Sequence, residues 1–529
     1  MINFKKNNSL VRTKNWNFPN FERDNLAVLN TFDIILVTYN SSIYLEDYIK
    51  AINNLNYDKS KLKIYLVDNN STDDSVEILQ KLECKTEIDI IKLNRNLGFG
   101  KACNLAVKKG NGSFIFLLNP DSQVAPDTLN ILNRKINNSP NEVKAWECRQ
   151  SPFEHPKYYN PVTLDTEWAS GACTVVDRIT FEKIGGFDKA IFLYVEDVDL
   201  SWNIRMHGYQ IQYVPKAKII HLSYGNPGAI KKRAFVNTVS NNVLMRWKYG
   251  SILDVLEYYD LWIKLLLNPP KIEKIRRSLI KNLLKTHLNL PSILIKRILY
   301  RRSDNFKPRF LNWEYELHRF GSWIKNNDKI QTKSVDIVVF ITQKNLKWFK
   351  ETLCSIENQT VDFCNLIVIG DKTNKRLNFI KKPCKFIDRG EMDIYTLTTR
   401  AIEESNSDFI SFITDQDVLF ADHLEICLSF NNVKFKAVRT GIYYSTTTLI
   451  SENSYIENPK ILEPTCAGLF LEVLQNNEAI RTKGIINLDF LKNNIGRIKS
   501  INSLSEMVKE TVSVEKTTMQ FRSVIFSNL

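Results

Sequence analysis

Four short apolar runs, Phe32–Val37, Leu62–Val67, Ile88–Leu93 and Ser113–Leu118, constrain this chain more than any other feature. Each is near-continuous rather than alternating, the pattern of strands buried on both faces. Between them lie stretches with helical spacing: Tyr44, Leu45, Tyr48 and Ile52, then Ser75–Leu82, then Lys101–Lys108. Strand alternating with helix implies an α/β domain built on a parallel sheet. Three of the runs end in polar loops: Thr38-Tyr39-Asn40-Ser41, Asp68-Asn69-Asn70-Ser71-Thr72-Asp73-Asp74 and Asn119-Pro120-Asp121-Ser122. Ligands of open parallel sheets bind outside the carboxyl ends of the strands, so Asp68 and Asp121 are expected to face one crevice.

A second feature is the acidic triplet Glu196, Asp197 and Asp199. Carboxylates this close repel one another, and a metal, a cation or a proton-transfer role would explain the cluster. Val198, Trp202 and Met206 recur every fourth residue, which predicts a helix over Asp197–His207 ended by Gly208. The acids fall in its first turn, so simple capping of the helix dipole is the plain alternative. A short strand, Gln210–Val214, is expected next, followed by His221.

The chain has 529 residues, enough for two or three domains, and a net charge of +14. That charge points to an anionic partner such as a nucleotide or a lipid headgroup. No nucleic-acid recognition motif accompanies it, so no nucleic-acid partner is expected. The nine cysteines form no CxxC pair, as suits a reducing compartment. MINFKKNNSL lacks the apolar core of a signal peptide, and no apolar run reaches about 18 residues. A cytoplasmic protein is expected, peripheral on the inner face of the cell membrane.

VTYNSS, LVDNNSTDDS, LNRNLGFGKACNLAVK, FLLNPDSQV, WASGACTVV, GGFDKAIFLYVEDVDLSWNIRMHGY and IIHLSYG, in that order, resemble the inverting family-2 nucleotide-sugar glycosyltransferases, in particular those similar to bacterial rhamnosyltransferases of surface polysaccharide synthesis. The resemblance covers residues 32–225. It implies a GT-A (Rossmann-like) fold, a nucleotide-diphosphate sugar donor (dTDP-rhamnose or a UDP-sugar), a divalent cation (manganese or magnesium) and a glycan acceptor, with a lipid-linked glycan as one form. By position it makes Thr38, Tyr39, Asn40, Asp68, Asn119 and Asp121 donor-binding. Asp121 and His221 become metal ligands, with Asn119 in place of the first acid of a DxD. Asp197 becomes the catalytic base, Glu196 and Asp199 its alternatives. Ser170, Gly171 and Ala172 are expected on the acceptor side, because small residues let the backbone approach a sugar.

Residues 334–500 repeat the opening pattern more weakly. Val335–Ile341 precedes Thr342, and Asp408–Ile413 precedes Thr414-Asp415-Gln416-Asp417. This resembles a second, smaller and divergent GT-A-like domain, with Asp415 and Asp417 as its candidate acids. The expected organisation is a lead-in at 1–31, a catalytic domain at 32–250, a basic helical linker at 251–333, the divergent domain at 334–500 and a tail at 501–529. In the linker, Ile272, Ile275, Leu279 and Leu283 share one face opposite Lys274, Arg277, Lys281 and Lys285, an amphipathic pattern suited to an anionic membrane surface. Alternatives to a single-site enzyme are a bifunctional glycosyltransferase and a non-catalytic glycan- or sugar-nucleotide-binding scaffold.

Overall fold

The computed structural model describes residues 28–154, 159–222, 232–300, 306–308, 310, 324–325, 333–342, 346–361, 365–371, 384–415, 417–429, 437–439, 442–445, 460–462, 471–473, 480–482, 484–494 and 523–526. The lead-in up to residue 27, position 416, Pro464–Gly468 and all of the tail except 523–526 lie outside them. The chain divides into two compact units. The described part of the first falls within 24–159 and 164–326, that of the second within 160–163 and 327–529.

The first unit begins with β1 (Phe32–Thr38), α1 (Ser42–Asn53), β2 (Leu62–Asp68), α2 (Ser75–Lys81), β3 (Glu87–Lys92), α3 (Phe99–Val107) and β4 (Phe114–Leu118). There follow β5 (Ser122–Val124), α4 (Thr128–Asn138), β6 (Val143–Ser151), β7 (Phe153–Glu154), β8 (Cys173–Asp177), α5 (Arg178–Lys183), α6 (Glu196–Met206) and β9 (Gln210–His221). The sheet order is β3-β2-β1-β4-β8-β6-β9-β5. β3, β2, β1 and β4 are parallel, and β8 closes antiparallel on β4.

All seven residues of β1 are buried, and the strand's period of two divides them between two cores. Ile34 and Leu36 pack with Leu45, Tyr48, Ile49 and Ile52 of α1. Ile35 and Val37 pack with Ala102, Cys103, Ala106 and Val107 of α3. Helices therefore cover both faces, leaving the carboxyl strand ends as the open rim.

β9 runs well past the expected end at Val214. Its far half pairs with β6 beyond a register shift and antiparallel with β5, where His221 lies opposite Ser122. Pro215, Lys216 and Lys218 break the apolar pattern there, which hides the strand in the sequence.

Four helices complete the unit: α7 (Lys232–Tyr249), α8 (Ile252–Leu267), α9 (Ile275–His287) and α10 (Leu290–Tyr300). β10 (Ile324–Lys325) pairs antiparallel with β7. Over its described helices the stretch expected to be a linker is thus part of the first unit. Its apolar row is turned inward. Ile275 and Leu279 pack with Val236 and Val239 of α7, and Leu283 packs with Val243 and Leu244.

In the second unit, β11 (Val335–Phe340), β12 (Leu366–Gly370), β13 (Cys384–Asp388) and β14 (Phe409–Thr414) lie in the order β13-β12-β11-β14, all parallel. Strand Gly484–Asn487 closes antiparallel on β14, and helix Leu488–Asn494 follows it. This repeats β3-β2-β1-β4-β8 and α5. The ladders agree residue by residue. Phe32 pairs with Phe114 and Val335 with Phe409; Phe114 pairs with Asp177 and Phe409 with Asn487. The carbonyl of Asp68 accepts from Leu93 N–H, and that of Gly370 from Arg389 N–H. Asp33 and Asp336, at matching places in their strands, are both buried. Asp33 bonds Gly112 N–H and Arg178; Asp336 bonds Asn406 N–H and Ser407.

By this register Gly370 takes the place of Asp68. Asp415 and Asp417 fall opposite Pro120 and Ser122. Both are fully buried. Asp415 accepts from Thr342 Oγ1 at 2.7 Å, and Asp417 accepts from Thr414 N–H at 2.8 Å. The second of these begins the short strand β15 (Asp417–Leu419), as Ser122 begins β5.

Candidate active site

The site is assembled at the strand ends. Thr38, fully buried, ends β1 beside Asp68 of β2. Tyr39 is 40% exposed. Asn40 has φ +53°, a left-handed conformation that asparagine tolerates. Its N–H donates to Ser71 Oγ at 3.0 Å, and its Oδ1 accepts from Thr72 N–H at 2.8 Å. The first two strand-end loops are thereby locked together. Asp68 is buried and accepts from Ser71 N–H through both oxygens, at 3.2 and 3.3 Å. Next to it, Asn69 Oδ1 accepts from Leu97 N–H at 2.8 Å. Gly98, at φ +85°, brings its backbone so close to Phe192 that a Cβ would lie 2.1 Å from the Phe192 carbonyl oxygen. Only glycine fits this joint between the start of α3 and the loop leading to α6.

That loop enters α6 through two consecutive non-glycine residues with positive φ, Tyr194 (+65°) and Val195 (+76°). For a β-branched residue this is a strained conformation. The three acids follow it and have three different environments. Asp197 is the partly exposed one. Its Oδ2 accepts from Gly171 N–H at 3.0 Å, and its Oδ1 from Val198 N–H at 2.9 Å. A Cβ on Gly171 would stand 3.4 Å from that of Asp197, so this glycine sets how closely the Ser170–Ala172 turn meets the acid. Ser170 and Ala172 are buried, and Ser170 N–H donates to Glu147 at 2.8 Å.

Glu196 is buried, and its Oε2 has no hydrogen-bond partner. Burial first, then the charges of Asp197 and Asp199, push its carboxyl up to about 8. It is therefore a neutral acid at pH 7. Because its folded value lies above the ordinary 4.5, its stabilising contribution is complete below pH 4.5 and is lost as pH rises through about 8. The slope is about 1.4 kcal/mol per pH unit across that window. Glu196→Gln is expected to flatten that pH dependence in urea titrations and to retain most of the wild-type turnover.

Asp199 is 1% exposed and lies within a buried ion cluster. Lys248 Nζ of α7 stands 2.6 Å from Asp199 Oδ1 and 2.8 Å from Asp188 Oδ2. Lys296 Nζ of α10 reaches Asp188 Oδ1 at 2.5 Å, and Tyr249 O–H donates to Asp199 Oδ1 at 3.0 Å. Burial alone would raise Asp188, but the two lysines outweigh it and hold the carboxyl at about 2. α7 also supplies Asn241, whose amide donates to the carbonyls of Leu193 and Tyr194 at 2.9 and 3.0 Å, bracing the strained turn. Neither Asp199 nor Glu196 has the exposure that a base acting on an incoming hydroxyl requires; Asp197 does.

Asp121 lies in the loop between β4 and β5. His221 Nε2 is 3.4 Å from Asp121 Oδ1. His221 Nδ1 is 2.9 Å from Gln150 Oε1, a contact that orients the ring with Nε2 toward Asp121. The preceding Asn119 N–H donates to the Ala172 carbonyl at 3.1 Å, tying this loop to the Ser170–Ala172 turn. A carboxylate with an oriented imidazole suits one face of a divalent-cation site whose other ligands come from phosphate oxygens and water. Among the described residues no cluster of three or more His, Cys, Asp or Glu forms a closed metal cage.

The structure thus brings Thr38, Asn40, Asp68, Asn119, Asp121, Gly171, Asp197 and His221 to one rim. Sequence reasoning missed Lys248, Tyr249, Asn241 and Gln150. The available signal was a lysine and two asparagines at apolar positions of the helix containing Asn241-Asn242 and Lys248.

A sheet of this order with acids at its carboxyl edge is that of a GT-A nucleotide-sugar transferase. Residues 33–198 match the sequence model described as Glycosyl transferase family 2, so the first unit carries a family-2 glycosyltransferase domain. The N-acetylglucosaminyl-diphospho-decaprenol L-rhamnosyltransferase of Mycobacterium tuberculosis (strain CDC 1551 / Oshkosh) is 23% identical over 233 residues, 36% of this chain and 75% of that protein. Rhamnosyltransferase WbbL of Escherichia coli (strain K12) is 26% identical over 228 residues, 36% of this chain and 84% of that protein. Among solved structures, mannosyltransferase PcManGT from Pyrobaculum calidifontis, in complex with GDP-Man and Mn2+, aligns at 17% identity with TM-score 0.34 over 51% of this chain and 74% of that one.

Proposed function

We propose that the first unit transfers a sugar from a nucleotide-diphosphate donor, dTDP-rhamnose or a UDP-sugar, to a hydroxyl of a growing surface glycan, with inversion. The observation that carries this reading is the environment of Asp197. It alone of the three acids is both partly exposed and fixed by the acceptor-side turn, through Gly171 N–H. A carboxylate so held can take the proton of the attacking hydroxyl, and a single displacement inverts the anomeric centre. Thr38, Tyr39, Asn40 and Asp68 hold the nucleotide; Asn119 and Asp121 lie at the diphosphate; Ser170–Ala172 line the acceptor side.

Asp121 and His221 would hold a manganese or magnesium ion. Bound there, the cation supplies charge neutralisation for the diphosphate leaving group. The protein's own part is to orient the His221 ring through Gln150 and to keep the carboxylate of Asp121 beside it. The mycobacterial relative is named for a glycan on a decaprenyl diphosphate, which supports a lipid-linked acceptor and a cytoplasmic enzyme working at the inner face of the cell membrane. Gly370 in the place of Asp68 in the second unit supports one donor site per chain.

The test is release of nucleoside diphosphate against a panel of nucleotide sugars, with and without EDTA. Release from one donor class, abolished by EDTA and restored by manganese or magnesium, is expected. Release unaffected by EDTA would remove the metal role, and no release from any donor would remove the reading.

A further inference from the structure

α9 and α10 carry apolar residues on two faces, and only one face is used inside the molecule. The inner row, Ile275, Leu279, Leu283, Thr286 and Ile293, is buried. The outer residues are Ile280 and Leu284 on α9, Leu288 at the junction, and Pro291, Ile295 and Ile298 on α10, spaced within each helix as on one of its faces. These residues are solvent-exposed: Leu284 66%, Leu288 81%, Ile295 65% and Ile298 68%. A soluble surface helix normally places polar groups there, so exposed apolar residues recurring on one face of each of two successive helices mark an interaction surface.

We infer that this outer row, with the basic residues beside it, lies in the headgroup region of an anionic lipid bilayer. Charge selects that occupant. From Lys271 to Ile298 the chain has eight basic residues against one acid, Glu273; with Lys296 turned to Asp188, Lys271, Lys274, Arg276, Arg277, Lys281, Lys285 and Arg297 remain. Arg276, Arg277, Lys281 and Lys285, all exposed, flank Ile280 and Leu284 on α9. A second copy of this chain would bring the same positive charge against itself, whereas phosphate headgroups complement it. Among the described residues no helix is long and apolar enough to cross a membrane, so the surface lies on the bilayer and does not span it. The inference deepens the proposed location at the membrane by assigning the contacting residues. It does not depend on sugar transfer.

The experiment is flotation of the full chain with phosphatidylcholine vesicles, with and without phosphatidylglycerol. Wild type is expected to float with the anionic vesicles only, and to be released on going from about 0.1 M to about 1 M salt, where the screening length falls from about 10 Å to about 3 Å. Two variants separate the contributions: Leu284→Ser with Leu288→Ser and Ile295→Ser, and Arg277→Glu with Lys281→Glu. Each is expected to lower anionic-vesicle binding about tenfold or more. All these side chains are exposed, so nucleoside diphosphate release with a water-soluble acceptor should match wild type. Loss of both flotation and turnover would signal misfolding of the apolar variant, and the charge variant then decides. Failure of wild type to float, or undiminished flotation of both variants, overturns the inference. A dimer in sedimentation that is lost in the apolar variant, without flotation, would assign the face to self-association instead.

Discussion

Asp197→Asn is expected to lower turnover about 100-fold or more while leaving donor affinity within a factor of about two. The substitution keeps the side chain's size and one acceptor oxygen for Gly171 N–H, giving up only the bond from Val198 N–H, so the Ser170–Ala172 turn should stay in place. What it removes is the capacity to take a proton from the acceptor hydroxyl. Single-turnover rates and calorimetric titration with the donor separate the two effects. Near wild-type turnover in Asp197→Asn, together with inactivity of Asp199→Asn at unchanged stability, would transfer the base role to Asp199. The structure argues against that result, because Asp199 is shared between Lys248 and Tyr249 with 1% of its surface exposed.

The second large effect concerns stability. Lys248→Met should destabilise the first unit by about 3–5 kcal/mol at neutral pH, the usual consequence of leaving buried charges without their partner. Two carboxylates, Asp188 and Asp199, lose their shared cation, and Lys296 remains for Asp188 alone. The pH dependence has a definite sign. Asp188 is held at about 2 in the folded protein, below its ordinary 3.8, so its pairing contributes fully above pH 3.8 and is lost as pH falls through about 2. The gap between wild type and Lys248→Met should therefore be widest near neutrality and should narrow below about pH 4. Urea titrations across that range test it. A gap that stays constant or widens on acidification would show that Asp188 is not the group released. Lys248 touches neither proposed substrate, so the folded variant should lose kcat more than donor affinity, through the altered seating of α6.

The fold and the site were legible in the sequence to unequal degrees. The parallel half of the sheet was plain, because strands buried on both faces leave unbroken apolar runs, and β1 begins where Phe32 suggests. The carboxyl-edge acids were equally plain, since polar loops after such runs have one place to go. β9 was legible only to Val214, because an edge region pairing with short β5 tolerates Pro215 and two lysines. Asp197 could not be separated from Glu196 and Asp199 by pattern alone. What separates them is burial and the partners supplied by α7, some 50 residues later. In α9 the apolar period was correctly seen, but period does not say which of two apolar faces meets the protein. The inner row packs on α7, and the outer row was overlooked. In the second unit the DQD motif suggested an acid at the equivalent of Asp121. Asp415 and Asp417 are both buried and hydrogen-bonded to Thr342 and Thr414, surroundings that the motif alone does not reveal.

The bracing of α6 by α7 also bears on how the enzyme is made. The family match ends at residue 198, within the first turn of α6, while Asn241, Lys248 and Tyr249 emerge from the ribosome more than 40 residues later. During synthesis every carboxylate of the rim is present before any of the cations that neutralise Asp188 and Asp199. A product truncated at residue 198 would therefore contain Asp197 without the helix that braces the turn before it.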